Sequence, residues 1–369
     1  MVAMLRLALA ALSMITLRTF RISFDDLGGL LMIKILVRVW LVLSLVAVCV
    51  AKDAPGYKVT RKYPVPGDGG FDYIVFDGSS NRLYVSHGTK VNVLDANSGK
   101  VLGNIENTPG VHGTAIVPNL HRGFVTDGGN ATVTVFDANS LKTLKTISVD
   151  KDPDFVFYDP QTKRVFVCHG DAAEITAIDP EKEEVVGKIT LGGGAEAAVV
   201  DGKGNGFVNL EELAEVANFD PRALTVKQKW PITGCKTPTG LAIDSTNRRL
   251  FIGCRSKVLA VMDATNGKVI TTVPIGERVD AVAFDPDDKL IFASNWDGTV
   301  SVIHQKSVDE YESVGDIQTQ KSAKTMAFDA KTKRLFLSAA DMESAPAANG
   351  RARMRPKPGT FNVLVVERQ

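Results

Sequence analysis

The chain predicts an all-β fold: a seven-bladed β-propeller of four-stranded antiparallel blades, closed by an N-terminal strand that completes the last blade. Three observations carry this. A short pattern recurs as Arg82-Leu83-Tyr84-Val85-Ser86-His87-Gly88, Arg122-Gly123-Phe124-Val125-Thr126-Asp127-Gly128 and Arg164-Val165-Phe166-Val167-Cys168-His169-Gly170, with four looser copies centred on Phe207, Phe251, Phe292 and Phe336. The turn position before each copy falls at Asp77, Pro118, Asp159, Asp201, Asp244, Asp285 and Asp329, a spacing of 41–44 residues, which is the length of one blade. Finally, the last repeat runs out before its fourth strand, while an alternating segment at residues 57–63 has no blade of its own.

Each repeat reads in the same order. An inner strand such as residues 72–76 ends at an Asp whose side chain can close an Asx-type turn. A second strand follows with an aromatic at its centre, then a third alternating strand ending at Asp95, a turn through Asn97-Ser98-Gly99, and an outer strand at residues 100–105. The aromatic set of Tyr84, Phe124, Phe166, Phe207, Phe251, Phe292 and Phe336 is expected to fill the space between blades, each burial contributing roughly 2 kcal/mol. In the last blade, residues 324–328, 334–338 and 361–366 supply three strands, and residues 57–63 are expected to pair as the fourth, leaving no open edge.

Residues 1–51 read as a leader preceding a single domain over residues 52–369. Within it, Lys34 and Arg38 lead an apolar run at 39–50 that ends at the small Ala51, the anatomy of a secretory signal. Met32 is the expected start, residues 1–31 being an over-extended reading frame, and the expected destination is periplasmic or secreted. An uncleaved leader is the only membrane contact foreseen. Five of the 43 Lys and Arg and two of the 42 acids lie in the leader, so the remainder carries 38 basic against 40 acidic residues. Such a near-neutral chain argues against a nucleic-acid partner, which needs a basic surface. Of the four Cys, Cys49 leaves with the signal, and antiparallel pairing in one blade brings Cys235 and Cys254 within reach of a disulfide that an oxidising compartment permits. Cys168 remains as a buried small residue.

These copies, each leading to an alternating strand that ends in Asp, resemble the YVTN-repeat β-propellers, the YncE-like exported bacterial proteins, over residues 57–369. The resemblance implies an exported binding propeller and fixes no chemistry, since related architectures include lactonases and quinoprotein subunits.

Chemistry is expected at the mouth of the central channel. Loops entering the inner strands place Asp72, Gly113, Asp154, Glu196, Thr239, Asp280 and Lys324 there, with Phe71 and His112 one residue earlier. Loops joining second to third strands add His87, Asp127, His169, Glu211, Arg255, Trp296, Asp297 and Asp341. A divalent cation on Asp72, Asp154, Glu196 and Asp280 is the one cofactor this set suggests, because carboxylate and imidazole groups are its ligands. No phosphate loop, nucleophile elbow or Cys-x-x-Cys-His motif is present. The last blade carries an insert at residues 341–360 with Arg351, Arg353, Arg355 and Lys357, a candidate lid over the acidic opening. The expected function is non-catalytic: a monomeric module binding a small ligand, envelope polymer or envelope protein through its loop face. The alternative is a metal-dependent lactonase-like hydrolase or quinone-dependent oxidoreductase at the channel mouth.

Overall fold

The computed structural model describes residues 56–346 and 352–369; the leader and Arg351 lie outside the described residues. Seven four-stranded antiparallel sheets form the blades, each running from an inner strand on the channel to an outer one on the rim. The inner strands are Phe71–Asp77, Val111–Val117, Pro153–Asp159, Ala195–Val200, Pro238–Asp244, Val279–Asp285 and Met326–Asp329. In the seventh blade the order from the rim inward is Tyr57–Pro64, Asn362–Arg368, Arg334–Ala339, Met326–Asp329. The N-terminal strand is therefore the outermost strand of the last blade, running from Tyr57 opposite Arg368 to Pro64 opposite Asn362. It also reaches forward into blade 1, where Tyr63 Oη and Arg61 Nη1 each donate to Asn97 O at 2.8 Å.

Sheets stacked on both faces explain the sequence pattern. Second and third strands are covered on either side and read as near-continuous apolar runs, whereas an outer strand such as Thr143–Ser148 buries Ile147 alone. All seven repeat aromatics lie between blades, none more than 1% exposed. Seams are also stapled by the Arg that opens most second strands. It crosses to the turn between third and outer strands of the next blade: Arg82 to Ala138 O, Arg122 to Glu183, Arg164 to Arg222 O, Arg249 to Asp309, Arg334 to Ala96 O. Blade 4 has Gly206 in that place; there Lys203 reaches blade 5 at another turn, the one after its inner strand, donating to Ser245 O at 2.9 Å.

A second seam device sits at the channel end. Registers slip in the inner strand of five blades so that two residues oppose one: 72 and 73 against Ser86, 112 and 113 against Thr126, 154 and 155 against Cys168, 196 and 197 against Asn209, and 239 and 240 against Gly253. A sixth slip falls between Val279 and Ala281, at Asp280. A β-bulge of this kind turns a side chain out of the pleat and leaves its carbonyl unpaired. The freed carbonyl is taken by a neighbouring blade: Ser86 Oγ donates to His112 O, Thr126 Oγ1 to Asp154 O, Asn209 Nδ2 to Thr239 O, Ser294 Oγ to Lys324 O and Thr325 Oγ1 to Asp72 O. Thr239 Oγ1 similarly holds Val279 O at 2.7 Å.

Cys235 and Cys254 are joined in blade 5, their Cα atoms 5.5 Å apart. Cys168 is free and buried. The insert of the last blade contains a hairpin, Met342–Pro346 paired with Ala352–Pro356. Among the described residues no helix is long and apolar enough to cross a membrane.

Candidate functional site

The bulges build the channel mouth. The first bulged residue of each inner strand forms a ring of Asp72, His112, Asp154, Glu196, Thr239 and Asp280, closed by Lys324 just ahead of the seventh inner strand. Blade 2 corrects the expected alignment. There Val117, not Pro118, pairs with the strand-opening Arg122, because Pro118–Leu120 is a 3-10 turn, so His112 rather than Gly113 takes the ring position.

Beneath the ring the second bulged residues, Tyr73, Gly113, Phe155, Ala197, Gly240 and Ala281, line a cavity of about 170 Å³ together with Met326. Tyr73 and Phe155 meet edge to face with ring centroids 5.4 Å apart. Neither was singled out from sequence, since an aromatic at a channel position is indistinguishable there from one in a seam.

Charges around the ring are interlocked. Lys324 Nζ lies 2.6 Å from Asp280 Oδ2 and 3.3 Å from Asp72 Oδ1. Arg255 reaches Glu211 at 3.0 Å and Asp280 at 3.4 Å. His112 Nδ1 lies 2.7 Å from Asp72 Oδ2 and 3.4 Å from Asp154 Oδ1. Burial opposes charge on His112, but the hydrogen bond to Asp72 and the field of Asp154 outweigh it and lift its pKa to about 9. Burial and the neighbouring Asp72 raise Asp154 to about 7. Burial, Asp154 and Asp280 push Glu196 well above the carboxylate range, and Tyr73, 3.4 Å from Glu196 Oε2, is pushed up by burial and the same acids. Asp72 stays low despite burial because Lys324 and His112 favour its anion. Lys324, for its part, is held charged against burial by Asp280 and Asp72.

Three of the expected residues do not face the mouth. His87 and His169 end second strands and turn into their own blades, 1% and 0% exposed. His87 Nδ1 pairs with Asn92, and its ring lies 4.3 Å from that of Phe361; His169 pairs with Thr176 and Lys151 O. Burial holds both imidazoles below their ordinary pKa and so neutral. Asp127 accepts from Thr134 and Thr132 inside blade 2. Their common cause is strand parity: these ends point along the sheet toward third-strand partners, not along the channel. Trp296 is half-buried under the Arg278 guanidinium, 4.9 Å from its ring.

The expected four-acid cation site is not assembled as drawn. Asp280 is taken up by Lys324 and Arg255, whereas the described groups that bring donor atoms within 4.8 Å of one another are Asp72, His112 and Asp154. Of the lid candidates, Arg355 pairs with Glu343 on the facing strand of its own hairpin rather than with the ring, and nothing is described of the Arg353 side chain.

No family model matches the chain. Over 133 residues it is 26% identical to the pre-rRNA-processing protein IPI3 of Meyerozyma guilliermondii, a match covering 35% of this chain and 28% of that protein. The chain thus spans little more than a quarter of that curated relative's length. Among solved structures it is similar to Kuenenia stuttgartiensis hydrazine synthase, with a TM-score of 0.65 and 15% identity over 85% of this chain and 99% of the other. U3-55K and the RRP9 WD40 repeats each give 0.71 at 11% identity, covering 86% of this chain and 99% of theirs. At such identities the likeness shows the fold alone, a seven-bladed β-propeller.

Proposed function

We propose that the chain is an exported, YVTN-type binding propeller without catalytic activity, whose channel mouth holds a cationic group of a small ligand or protein partner. One observation carries this reading. Lys324, Arg255 and His112 are spent on Asp72, Asp280, Glu211 and Asp154, and Glu196 has no cation within ion-pair distance among the described residues. The mouth therefore has more carboxyl groups than cations, and crowding and burial hold the surplus ones, Glu196 above all, protonated until an incoming cation lets them ionise. The Tyr73 and Phe155 rings below offer an aromatic floor of the kind that favours an ammonium or guanidinium group. Export is read from the signal-like run at 39–50 and accords with the joined Cys235 and Cys254.

The test is calorimetric titration of the chain with short Lys- and Arg-containing peptides and, separately, Glu-containing ones. Cationic peptides are expected to bind and to lose at least about tenfold in affinity with Glu196→Gln, corresponding to ~1.4 kcal/mol. Equal binding of both peptide kinds would defeat the reading. A second reading, metal-dependent hydrolysis of an ester or lactone, is favoured by the convergence of Asp72, His112 and Asp154; turnover lost with His112→Asn in folded protein would establish it.

A further inference from the structure

Asp72, His112 and Asp154 are the first bulged residues of three consecutive blades, so one backbone irregularity, repeated, aims all three at a common point. We propose that they form a site for a single first-row divalent cation of the Zn²⁺ or Mn²⁺ kind, open on its solvent side. The inference does not rest on the binding reading above, which concerns the Glu196 side of the mouth.

The donor atoms have the size of a coordination sphere. With metal–nitrogen and metal–oxygen bonds of about 2.0–2.2 Å, neighbouring ligand atoms stand roughly 3–3.5 Å apart. His112 Nδ1 is 3.4 Å from Asp154 Oδ1, within that range, and 2.7 Å from Asp72 Oδ2, a hydrogen bond that a metal would replace by parting the two atoms by a few tenths of an ångström. A second observation points the same way: Asp154 Oδ1 is shut off from solvent and accepts no hydrogen bond, because the His112 Nδ1 that stands 3.4 Å away is directed at Asp72 Oδ2 instead. A buried carboxylate oxygen left so is costly unless something outside the protein satisfies it.

Outer contacts hold the ligands in place. Lys324 occupies Asp72 Oδ1 and leaves Oδ2 turned toward His112. The backbone carbonyls of all three residues are pinned by hydroxyls, from Thr325, Ser86 and Thr126. Such second contacts orient metal ligands and sharpen their affinity. Two carboxylates flanking an imidazole create a negative field that a proton partly answers; a dication answers it more fully. One nitrogen with two oxygens suits Zn²⁺ or Mn²⁺ better than Ca²⁺, which takes oxygen ligands in larger number.

The experiment uses the untagged full chain, stripped with chelator and titrated calorimetrically with ZnCl₂, MnCl₂ and CaCl₂. One Zn²⁺ or Mn²⁺ per chain is expected, with affinity reduced at least about tenfold by His112→Asn or Asp154→Asn and unchanged by His304→Asn. Nitrogen-15 spectra of the histidine side chains provide a readout that survives a misfolded variant: among the five His, Zn²⁺ is expected to shift the His112 ring alone. Absence of stoichiometric binding, preference for Ca²⁺, or binding that leaves the His112 resonance unmoved overturns the proposal.

Discussion

Asp127 shows how a residue with the chemistry of a site can serve the fold instead. Its carboxyl is 1% exposed, with Oδ2 on Thr132 and Thr134 and Oδ1 unpartnered. Burial raises its pKa from 3.8 to about 6. The native state therefore keeps this proton to higher pH than the unfolded chain does. The associated stability is full below about pH 3.8 and is lost as pH rises through about 6. With Asp127→Asn the titration disappears. The stability of this variant relative to wild type is expected to improve by about 3 kcal/mol between pH 3.5 and 7.5, measured as paired denaturant midpoints. A constant difference across that range would show that the carboxyl is not titrating as its burial requires. His87 and His169 tell the same story without a charge, being neutral, buried and paired within blades.

At the scale of elements, the seam between blades 3 and 4 is the exception that explains the rest. Six boundaries have a side-chain donor on a carbonyl at or beside the bulge, from Ser86, Thr126, Asn209, Thr239, Ser294 and Thr325. At the remaining one the position opposite the bulge is Cys168, and the carbonyl it would serve belongs to Glu196. Cys168→Ser supplies the missing hydroxyl. It is expected to leave the melting temperature unchanged or raise it by the equivalent of up to ~1 kcal/mol, whereas a buried hydroxyl without an acceptor costs ~1–3 kcal/mol. A fall of several degrees would place that carbonyl out of reach. The blades themselves were legible because hydrophobic runs, turn Asp residues and one aromatic per copy all repeat with the period of the structure. The bulges were not: a register slip changes no letter, only which side chain opposes which. His112 stood one residue out of line in sequence for another reason, the 3-10 turn that begins at Pro118, and His87, Asp127 and His169 turned into their blades by strand parity, which position along the chain does not reveal. The strand-opening Arg was visible in five copies, but its partners lie 56–61 residues away or across the closure, beyond any local pattern.

For the whole molecule, the decisive pairing is between its two ends. Tyr57–Pro64 contributes the outer strand of blade 7 and, through Tyr63 and Arg61, a strap onto blade 1. Deleting residues 57–64 exposes the edge at Asn362–Arg368 and removes Tyr57 and Tyr63 from two core clusters. The expected result is a melting temperature lower by more than about 10 °C, or a chain that self-associates through the bared strand, read by calorimetry and light scattering. A monomeric deletion variant with unaltered melting would show that the ring is held by its seams alone.

This closure also sets a clock. The strand made earliest among the seven blades has no partner until Asn362–Arg368, at the far end of the chain, has been synthesised. Blades 1 to 6 can each complete their own sheet as they emerge, yet the circle stays open until Asn362–Arg368 is made. Joining residues about 300 positions apart costs loop entropy that earlier blades must first offset by drawing the ends together. The ring consequently closes only once Asn362–Arg368 has emerged: a growing chain stalled before that strand remains an open arc with one unpaired edge.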